Sequence, residues 1–302
     1  MKNTARFNFS IHPHGVFYSK EAEGAKYPDN ALDAGDYIAT GQTYTYSWPV
    51  PARAGPGPGD FSSLIWPYHS HVSEIFGSNS GCVGLFVITA KGKAWPDAHP
   101  KGVDREFIVL FDLYDENRSF YLPATIAEKI PTQVNNTGLL FDPVFMESNI
   151  INAINGYAYG NSGPFIMKAG ERVRWYVYAM GAERDVHSIY WHGQTLMDKF
   201  HRTSGEILIP ATNFVLDMIP DNVGTWLLQC HVNEHLAHGM VTKFVVEATP
   251  DYYDEDRNFA TTQDPFPFNT FATFTGSEEI VNSGSYLYTP VLAIFLLVVA
   301  FM

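Results

Sequence analysis

The sequence predicts an all-β protein made of two Greek-key sandwiches, the first incomplete at its front, with a hydrophobic tail at the C-terminus. Two observations support this prediction. Short runs rich in aromatic and β-branched residues recur along the chain, and Gly, Pro, Asn and Asp separate them. No long stretch of the sequence follows the helical period. The 302 residues are enough for about two domains of ordinary size.

The predicted strands divide the chain into units. In chain order they are residues 5–12, 43–50, 85–90, 105–114, 172–180, 187–193, 214–220 and 241–248. We expect a first sandwich over 1–124, a second over 125–249, an acidic stalk over 250–285 and a hydrophobic segment over 286–302. Only one predicted strand precedes the first histidine pair. We therefore expect front strands of the first unit to be missing, because a sandwich without them leaves edges and core uncovered.

The composition and net charge of the chain argue against one class of binding partner, the nucleic acids. Hydrophobic residues make up 46% of the chain, which is ample for two cores, and the net charge is −13. That charge argues against a nucleic-acid partner, because binding a phosphate backbone requires a surplus of cationic groups. Of the two cysteines, Cys230 lies among histidines and is interpreted as a metal ligand. Cys82 opens an apolar strand and is predicted to be a buried free thiol.

The two ends of the chain carry different signals. The uncharged apolar run 286–302 suits either a GPI-attachment signal or a single C-terminal membrane anchor. The N-terminal residues contain no apolar export signal, so we expect the true start of the protein to lie upstream. Glycosylation sequons at Asn8, Asn117 and Asn135 are a weak signal for a glycoprotein on the extracellular face of the plasma membrane. Asn8 is not expected to be glycosylated, because it lies four residues from His12 in a predicted strand.

Most of the 11 histidines fall in four tight groups. The groups are His12 with His14, His69 with His71, His187 with His192, and His231 with His235. Side chains alternate along a strand, so the members of each His-x-His pair share a face. A single such pair is a weak signal, but two pairs together with two further groups predict a metal pocket.

The fourth group has the spacing of a blue-copper loop. His235 follows Cys230 by five residues and Met240 follows it by ten. A thiolate, two imidazoles and a weak axial thioether suit copper that cycles between two oxidation states. The second imidazole is predicted to be His187, from another strand. Met240 alone is equally typical of a core residue.

These segments resemble known copper motifs. HPHG, WPYHSH, HSIYWHG and CHVNEHLAHGM are similar to the four copper-binding motifs of the multicopper oxidases. Flanking segments such as GVFYSKEAEGAKYPDN, MGAERDVHSIYWHG and GTWLLQCHVNEHLAHGM resemble the ceruloplasmin and hephaestin ferroxidases, over roughly residues 5 to 247. The resemblance implies cupredoxin-like sandwiches.

The resemblance also implies a copper cofactor and a route for electrons. In that family electrons enter at the blue copper and pass to a three-copper cluster that reduces dioxygen. The implied cluster ligands are His12 for the type 2 copper, His14, His69 and His231 for one type 3 copper, and His71 and His192 for the other. Tyr190 and Gln229 depart from the pattern, because the family has histidine at both positions.

The ferroxidases hold Fe(II) beside the blue copper, which makes Fe(II) and dioxygen the implied substrates. The matching residues are Glu147, Asn152 and Glu234, where the family has Glu, His and Asp. Carboxylate oxygens suit iron, whereas Asn152 is a poorer ligand than histidine. Taken alone, Glu147 or Glu234 is as well explained as an ordinary solvent-exposed acid as it is by a role in binding iron.

Several functions fit these observations. The leading hypothesis is a membrane-anchored ferroxidase-like oxidase. The alternatives are a copper-binding or electron-transfer protein with a degenerate cluster, an oxidase of phenols or Cu(I), and a purely structural sandwich. The cluster could close within one chain or between the chains of a homotrimer.

Overall fold

A computed structural model of the chain describes residues 1–27, 33–181 and 185–249, together with the backbone of 297–298. The predicted stalk over 250–285 lies outside these residues, as does the predicted anchor over 286–302 apart from that two-residue strand. Among the described residues, no helix is both long and apolar enough to cross a membrane.

The described residues form short strands and four short α-helices. The strands are β1 (His12–Pro13), β2 (Ser63–His69), β3 (Val83–Thr89), β4 (Arg105–Asp115), β5 (Ile150–Ile154), β6 (Phe165–Lys168), β7 (Val173–Tyr178), β8 (His187–Trp191), β9 (Leu196–Asp198), β10 (His201–Thr203), β11 (Gly205–Leu208), β12 (Asn213–Met218), β13 (Gly224–Cys230), β14 (Val241–Glu247) and β15 (Leu297–Val298). The helices are α1 (Glu74–Ser78), α2 (Leu122–Lys129), α3 (Pro143–Ser148) and α4 (Asn233–Ala237). The all-β prediction is confirmed.

The strands form three sheets. The first has the order β1-β2-β3-β15, the second β10-β9-β12-β7-β4-β5, and the third β11-β8-β13-β14-β6. The second and third sheets enclose one core, in which Trp175, Trp191 and Phe244 are fully buried and meet edge to face. Such aromatic pairs add to the free energy gained by burying their area. β7 reads VRWYVY and is buried at every position, as expected for a central strand covered on both faces.

β4 belongs to the sheet of the second unit. It runs parallel to β7, from Arg105 opposite Val173 to Leu110 opposite Tyr178, and antiparallel to β5. The predicted boundary at 124/125 lies C-terminal to β4, so the sheet of the second sandwich begins before that boundary.

Residues 5–12 and 43–50 differ from the predicted strands. Only isolated bridges such as Phe9 with Ile38 form there, besides the two residues of β1. The aromatic alternation that suggested a strand over 43–50 instead builds a row of contacting rings, edge to face between Tyr44 and Tyr46 and stacked from Tyr46 onward. Tyr44, Tyr46 and Trp48 follow one another at 4.8 and 5.8 Å, and Trp48 lies 6.1 Å from Phe86 of β3.

A buried polar network joins the first sheet to the second. Arg174 of β7 forms a two-pronged ion pair with Asp217 of β12, at 2.7 and 2.8 Å. The same guanidinium donates to Ser62 and Ser63, and Ser63 also shares a 2.6 Å hydrogen bond with Tyr176. Burying an arginine is tolerable only with such pairing.

Candidate metal centre

Three strictly buried side chains form the first ligand group, here called the buried triad. His187 begins β8, Cys230 ends β13, and His235 lies in α4 directly after that strand. Their ligand atoms all lie within 4.8 Å of one another. β8 and β13 are adjacent antiparallel strands, and Cys230 pairs with Ile189, two residues from His187. The inward-facing positions of the two strands therefore bring the thiol and one imidazole together.

The loop after β13 brings the third ligand back to the thiol. Cys230 Sγ lies 3.6 Å from His235 Nδ1 and accepts a hydrogen bond from the Val232 N–H at 3.4 Å. Met240 is fully buried, and its backbone accepts from the Cys230 N–H at 3.0 Å and donates to the His235 carbonyl at 2.9 Å. The loop is thus closed by backbone hydrogen bonds between the three sequence-predicted positions.

The donor set of the buried triad fits a soft-to-borderline metal. His187 Nδ1 and Nε2 are both buried without a hydrogen-bond partner among the described residues, and Nε2 lies against the Asp185 carboxylate. Burial lowers the pKa of His187 to about 4. Burial and the neighbouring His187 lower the pKa of His235. Both imidazoles are therefore neutral at neutral pH, which is the form that binds a metal.

The second group, called the first histidine set, consists of His12, His14, His69 and His71. β1 pairs with β2 so that His12 lies opposite His69. The rings of His12, His14 and His69 lie 5.2–5.6 Å apart, and those of His12 and His71 5.1 Å. His14 Nε2 and His69 Nε2 are only 3.2 Å apart, as ligands of one metal would be.

The surroundings of the first histidine set favour neutral rings. Burial, together with His14 and His12, lowers the pKa of His69 to about 3. Burial also lowers the pKa of His12 and of His14. The Glu23 carbonyl lies 2.8 Å from His12 Nδ1, which leaves Nε2 for a ligand role.

The third group, called the outer-face cluster, consists of Tyr190, His192 and His231. The Tyr190 ring lies 4.8 Å from the ring of His192 and 4.9 Å from that of His231. Tyr190 also pairs directly with Gln229 across β8 and β13. The two positions that depart from the expected histidines are therefore neighbours. Gln229 is buried, and burial together with the neighbouring His231 lowers the pKa of His192.

The first histidine set and the outer-face cluster lie apart. Within the described part of the chain, no ring contact joins the rings of one to those of the other. The groups there whose ligand atoms lie close enough to hold one metal ion are His12, His14 and His69 of the first histidine set, and the buried triad. The first set opens onto a cavity of about 470 Å³ lined by Tyr18, Glu23 and Tyr27. The outer-face cluster opens onto a different cavity, of about 420 Å³, beside β11.

The predicted iron ligands differ in burial. Glu147 on α3 and Glu234 on α4 are exposed, whereas Asn152 on β5 is 4% exposed. The Asn152 side-chain oxygen has no hydrogen-bond partner among the described residues. The described residues show no contact between these three side chains.

The structure adds acidic residues that sequence reasoning missed. Asp185 lies two residues before His187 and is fully buried against it. Asp112 is 4% exposed and lies beside Asp185. Glu74 has carboxylate oxygens 4.0 and 3.8 Å from His69 Nε2 and His71 Nε2. The sequence did contain a signal for Asp112, the acid inside the apolar run FIVLFDLY of β4. An acid in a buried strand needs a partner, because an unpaired buried charge is costly.

Comparison with known proteins gives these groups a context. A family model described as multicopper oxidase matches residues 129–250. Human ferroxidase HEPHL1 is 40% identical over 82% of this chain and 22% of its own length. Human ceruloplasmin is 37% identical over 82% of this chain and 23% of its own length. The chain belongs to the multicopper oxidase family.

A solved structure shows the same fold. A crystal structure of a multicopper oxidase superposes with a TM-score of 0.57 over 82% of this chain and 73% of its own, at 19% identity. The chain spans only about a fifth of the length of the curated relatives that it matches. Copper is the metal of the multicopper oxidases, and the thiol-and-imidazole set of the buried triad fits it.

Proposed function

We propose that this chain is a copper-dependent oxidoreductase of ferroxidase type. Its reductant is Fe(II), which becomes Fe(III), and its oxidant is dioxygen, which becomes water. The observation that carries the proposal is the buried triad of His187, Cys230 and His235, closed by backbone hydrogen bonds to Met240.

The residues of the buried triad have separable roles. Copper, when bound there, supplies one-electron redox chemistry. Cys230 and His187 exclude water from it, because both are fully buried. The Val232 N–H donates to Cys230 Sγ and stabilises the thiolate form of the ligand. Met240 would supply a weak thioether ligand to that copper.

Two exposed acids, Glu147 and Glu234, are proposed to bind the substrate. Glu234 lies one residue before His235, and Glu147 lies on α3 just before β5. Carboxylates bind Fe(II) and favour the more highly charged Fe(III) product. Asn152 would add a neutral oxygen ligand, since its side-chain oxygen is otherwise unpaired among the described residues.

The chain also provides a short bonded route between two metal positions. Side chains alternate along β13 and beyond, so Cys230 faces the core while His231 is exposed on the other side. One peptide bond therefore separates the buried triad from the outer-face cluster. Cys230 and His231 would connect a copper held by the triad to a metal held by the outer-face cluster.

The decisive assay measures copper and oxygen together on the full chain. We expect an intense blue absorption band, copper bound at more than one site, and oxygen consumption when Fe(II) is added. The double variant Glu147→Gln/Glu234→Gln should raise the KM for Fe(II) severalfold while the blue band stays unchanged, because the charges that favour the metal cation are removed.

Glu128→Gln provides the matched control, since Glu128 is an exposed acid on α2. That variant should leave the KM for Fe(II) unchanged. An intact blue band with no oxygen consumption on adding Fe(II) would overturn the ferroxidase proposal. Competition by Fe(II) against phenols or Cu(I) tests whether another reductant is preferred.

We propose further that the oxygen-reducing cluster closes between copies of the chain, in a homotrimer. The support is the separation of the first histidine set from the outer-face cluster, each incomplete and each open to a cavity. β11 forms an edge of the third sheet beside His231, and Ile207 on that strand is 72% exposed. An unpaired edge with exposed apolar residues suits contact with another chain.

Complementation between variants tests this arrangement. His69→Ala disables the first histidine set, and His231→Ala disables the outer-face cluster. Each variant alone should lack oxygen reduction, and mixing them should restore part of it, because some interfaces then carry both intact halves. Activity that stays absent in the mixture, with oligomers present, would contradict closure between copies.

A second candidate function is electron transfer without oxygen reduction. The pairing of Tyr190 with Gln229 favours it, because two neighbouring positions both lack the imidazole expected there. A blue band with about one copper per chain would support this reading, and about four would support the complete oxidase.

Location is proposed as the extracellular face of the plasma membrane, held by a GPI group or a single C-terminal segment. The apolar run 286–302 and the three sequons support this proposal. Release of cell-surface protein by a phosphatidylinositol-specific phospholipase would identify the GPI form, and protein found only in the cytosol would contradict the proposal.

A further inference from the structure

Three asparagines of this chain begin Asn-x-Ser/Thr sequons, the sequence that accepts an N-linked oligosaccharide. They are Asn8, Asn117 and Asn135. The sugar is large and hydrated, and it replaces one hydrogen of the side-chain nitrogen. The folded chain therefore accommodates it only where that nitrogen and the space around it are free. The three asparagines differ in this respect.

The Asn117 side chain is held at both ends of its amide. Its Nδ2 donates to Asp115 Oδ1 and to the Met146 carbonyl, each at 2.8 Å, so both of its hydrogens are engaged. Its Oδ1 accepts a hydrogen bond from Asn149 Nδ2 at 2.9 Å. These bonds join the turn after β4 to α3 and to the residue before β5. A sugar on Nδ2 would break at least one of them, and Ser119 of the same sequon is buried.

The sequon of Asn8 is fixed by its other two residues. Asn8 itself is exposed, but Phe9 and Ser10 are buried. Phe9 exchanges two backbone hydrogen bonds with Ile38, and Ser10 Oγ accepts from the His71 N–H at 3.0 Å. This sequon therefore lies in packed structure beside the first histidine set, and not in the surface loop that a used sequon occupies.

Asn135 lies in an open loop between α2 and α3. Residues 134–138 are all exposed, so Asn135 and Thr137, the third residue of its sequon, both face solvent. A side-chain hydrogen bond that shapes this loop belongs to the neighbouring Asn136, whose Oδ1 accepts from the Gly138 N–H at 3.1 Å. A sugar on Asn135 leaves that bond in place.

We propose that, when the chain is exported, Asn135 is the residue that carries an N-linked oligosaccharide, and that Asn8 and Asn117 remain unmodified. The donor is an oligosaccharide joined to a lipid diphosphate. The C–N bond to Asn135 Nδ2 forms as the bond between the first carbon of the sugar and the phosphate oxygen breaks. The lipid diphosphate leaves with that electron pair, and the nitrogen releases one of its two hydrogens as a proton.

This assignment rests on the proposed extracellular location, because the donor is available only to chains that enter the secretory pathway. It also constrains assembly, since a glycan at Asn135 keeps the exposed segment 134–138 out of contacts between copies of the chain. The choice of residue and the location of the protein require separate measurements.

The choice of residue is measured on the unaltered full chain, secreted from animal cells with a cleavable export signal added at its N-terminus. Peptide N-glycosidase in heavy-oxygen water converts each glycosylated asparagine into labelled aspartate, which mass spectrometry locates. We expect the label at Asn135 and at neither Asn8 nor Asn117. Thr137→Ala should remove the glycan and increase electrophoretic mobility. Ser119→Ala is the matched control, because it destroys the sequon of Asn117 and should leave the mobility unchanged.

Label at Asn8 or Asn117, or no label at Asn135 in the secreted chain, would overturn the assignment without any variant. The same mapping on protein isolated from its natural cells measures the location. Label at Asn135 in the secreted chain, with none at any sequon of the natural protein, would support the choice of Asn135 and overturn the proposed extracellular location.

Discussion

The buried triad and the first histidine set are built from similar ligands in different surroundings. The triad lies inside the core between two sheets, and its ligands are at most 4% exposed. The first histidine set lies at the short pairing of β1 with β2, where only His69 is fully buried and His71 is about one-third exposed.

The difference separates a site whose ligands the fold holds in place from a site that faces a cavity. Backbone hydrogen bonds and a buried carboxylate fix the triad before any metal arrives. The first histidine set instead faces a cavity that could admit further ligands. We therefore expect the triad to bind metal in an isolated chain and the first set to depend more on assembly.

The largest expected effect is the loss of the blue absorption band when the thiol of the buried triad is removed. Cys230→Ser should abolish the blue band completely, because no other residue supplies the thiolate to the buried triad. Absorption spectra and copper counting provide the measurement. Cys82→Ser is the matched control, since Cys82 is a free thiol in the first unit. A blue band that survives Cys230→Ser, or that disappears in Cys82→Ser, would contradict the assignment.

Acid should destabilise both regions of the metal-free protein. The pKa of His187 is about 4 and that of His69 about 3, below the value of 6.5 for an unperturbed histidine. The unfolded chain therefore binds protons that the folded chain does not, so stability is full above pH 6.5 and falls as pH drops toward those values. The loss should reach on the order of 3 kcal/mol for each ring.

Urea unfolding between pH 7.5 and 4.5 measures this loss. His187→Gln should remove the part that belongs to the triad, and His69→Gln the part that belongs to the first histidine set. A free energy of unfolding that does not change with pH over this range would show that the rings are not buried in the neutral form.

Gly15 tests how the first histidine set is held. Its φ is +69°, and a Cβ there would lie 2.0–2.5 Å from the Trp66 ring of β2. Gly15→Ala should cost about 2–3 kcal/mol by urea unfolding, because both the backbone and the ring must shift. Gly41→Ala is the control, with a φ of +81° and nothing within 4 Å of the added Cβ. Equal costs for both variants would leave only backbone strain as the cause.

The smallest expected effect concerns the link between the two regions. Ser63→Ala removes the acceptor for one Arg174 N–H and one of the two partners of the Tyr176 hydroxyl, which also donates to Glu106. The free energy of unfolding should fall by about 1 kcal/mol. Ser62→Ala should cost less, because Ser62 is only partly buried and bonds to Arg174 alone. A larger loss of stability for Ser62→Ala than for Ser63→Ala would show that the buried hydrogen bonds of Ser63 are not the main connection between the two sheets.

Much of this architecture could be predicted from the sequence. The alternation along 187–193 and the Cys230 loop predicted a buried triad, because period-two patterns directly determine which side chains share a face. The pairing of β4 with β7 was not predictable in this way, since parallel pairing depends on distant contacts. For the same reason the meeting of Asp112 with Asp185 could not be read from either segment alone.

Residues 43–50 show that a clear local pattern can also predict the wrong structure. Their aromatic alternation is typical of a strand, yet the rings pack against one another without a continuous ladder of backbone hydrogen bonds. Side-chain period alone does not distinguish these two outcomes.

The placement of β4 has a practical consequence for dissecting the protein. A fragment that begins at residue 125 would lack β4 and leave one long side of β7 without its partner. That newly bare edge, from a strand that is buried at every position, would favour intermolecular pairing and insoluble product. A fragment that begins before Arg105 keeps the strand and is the better choice for recombinant expression.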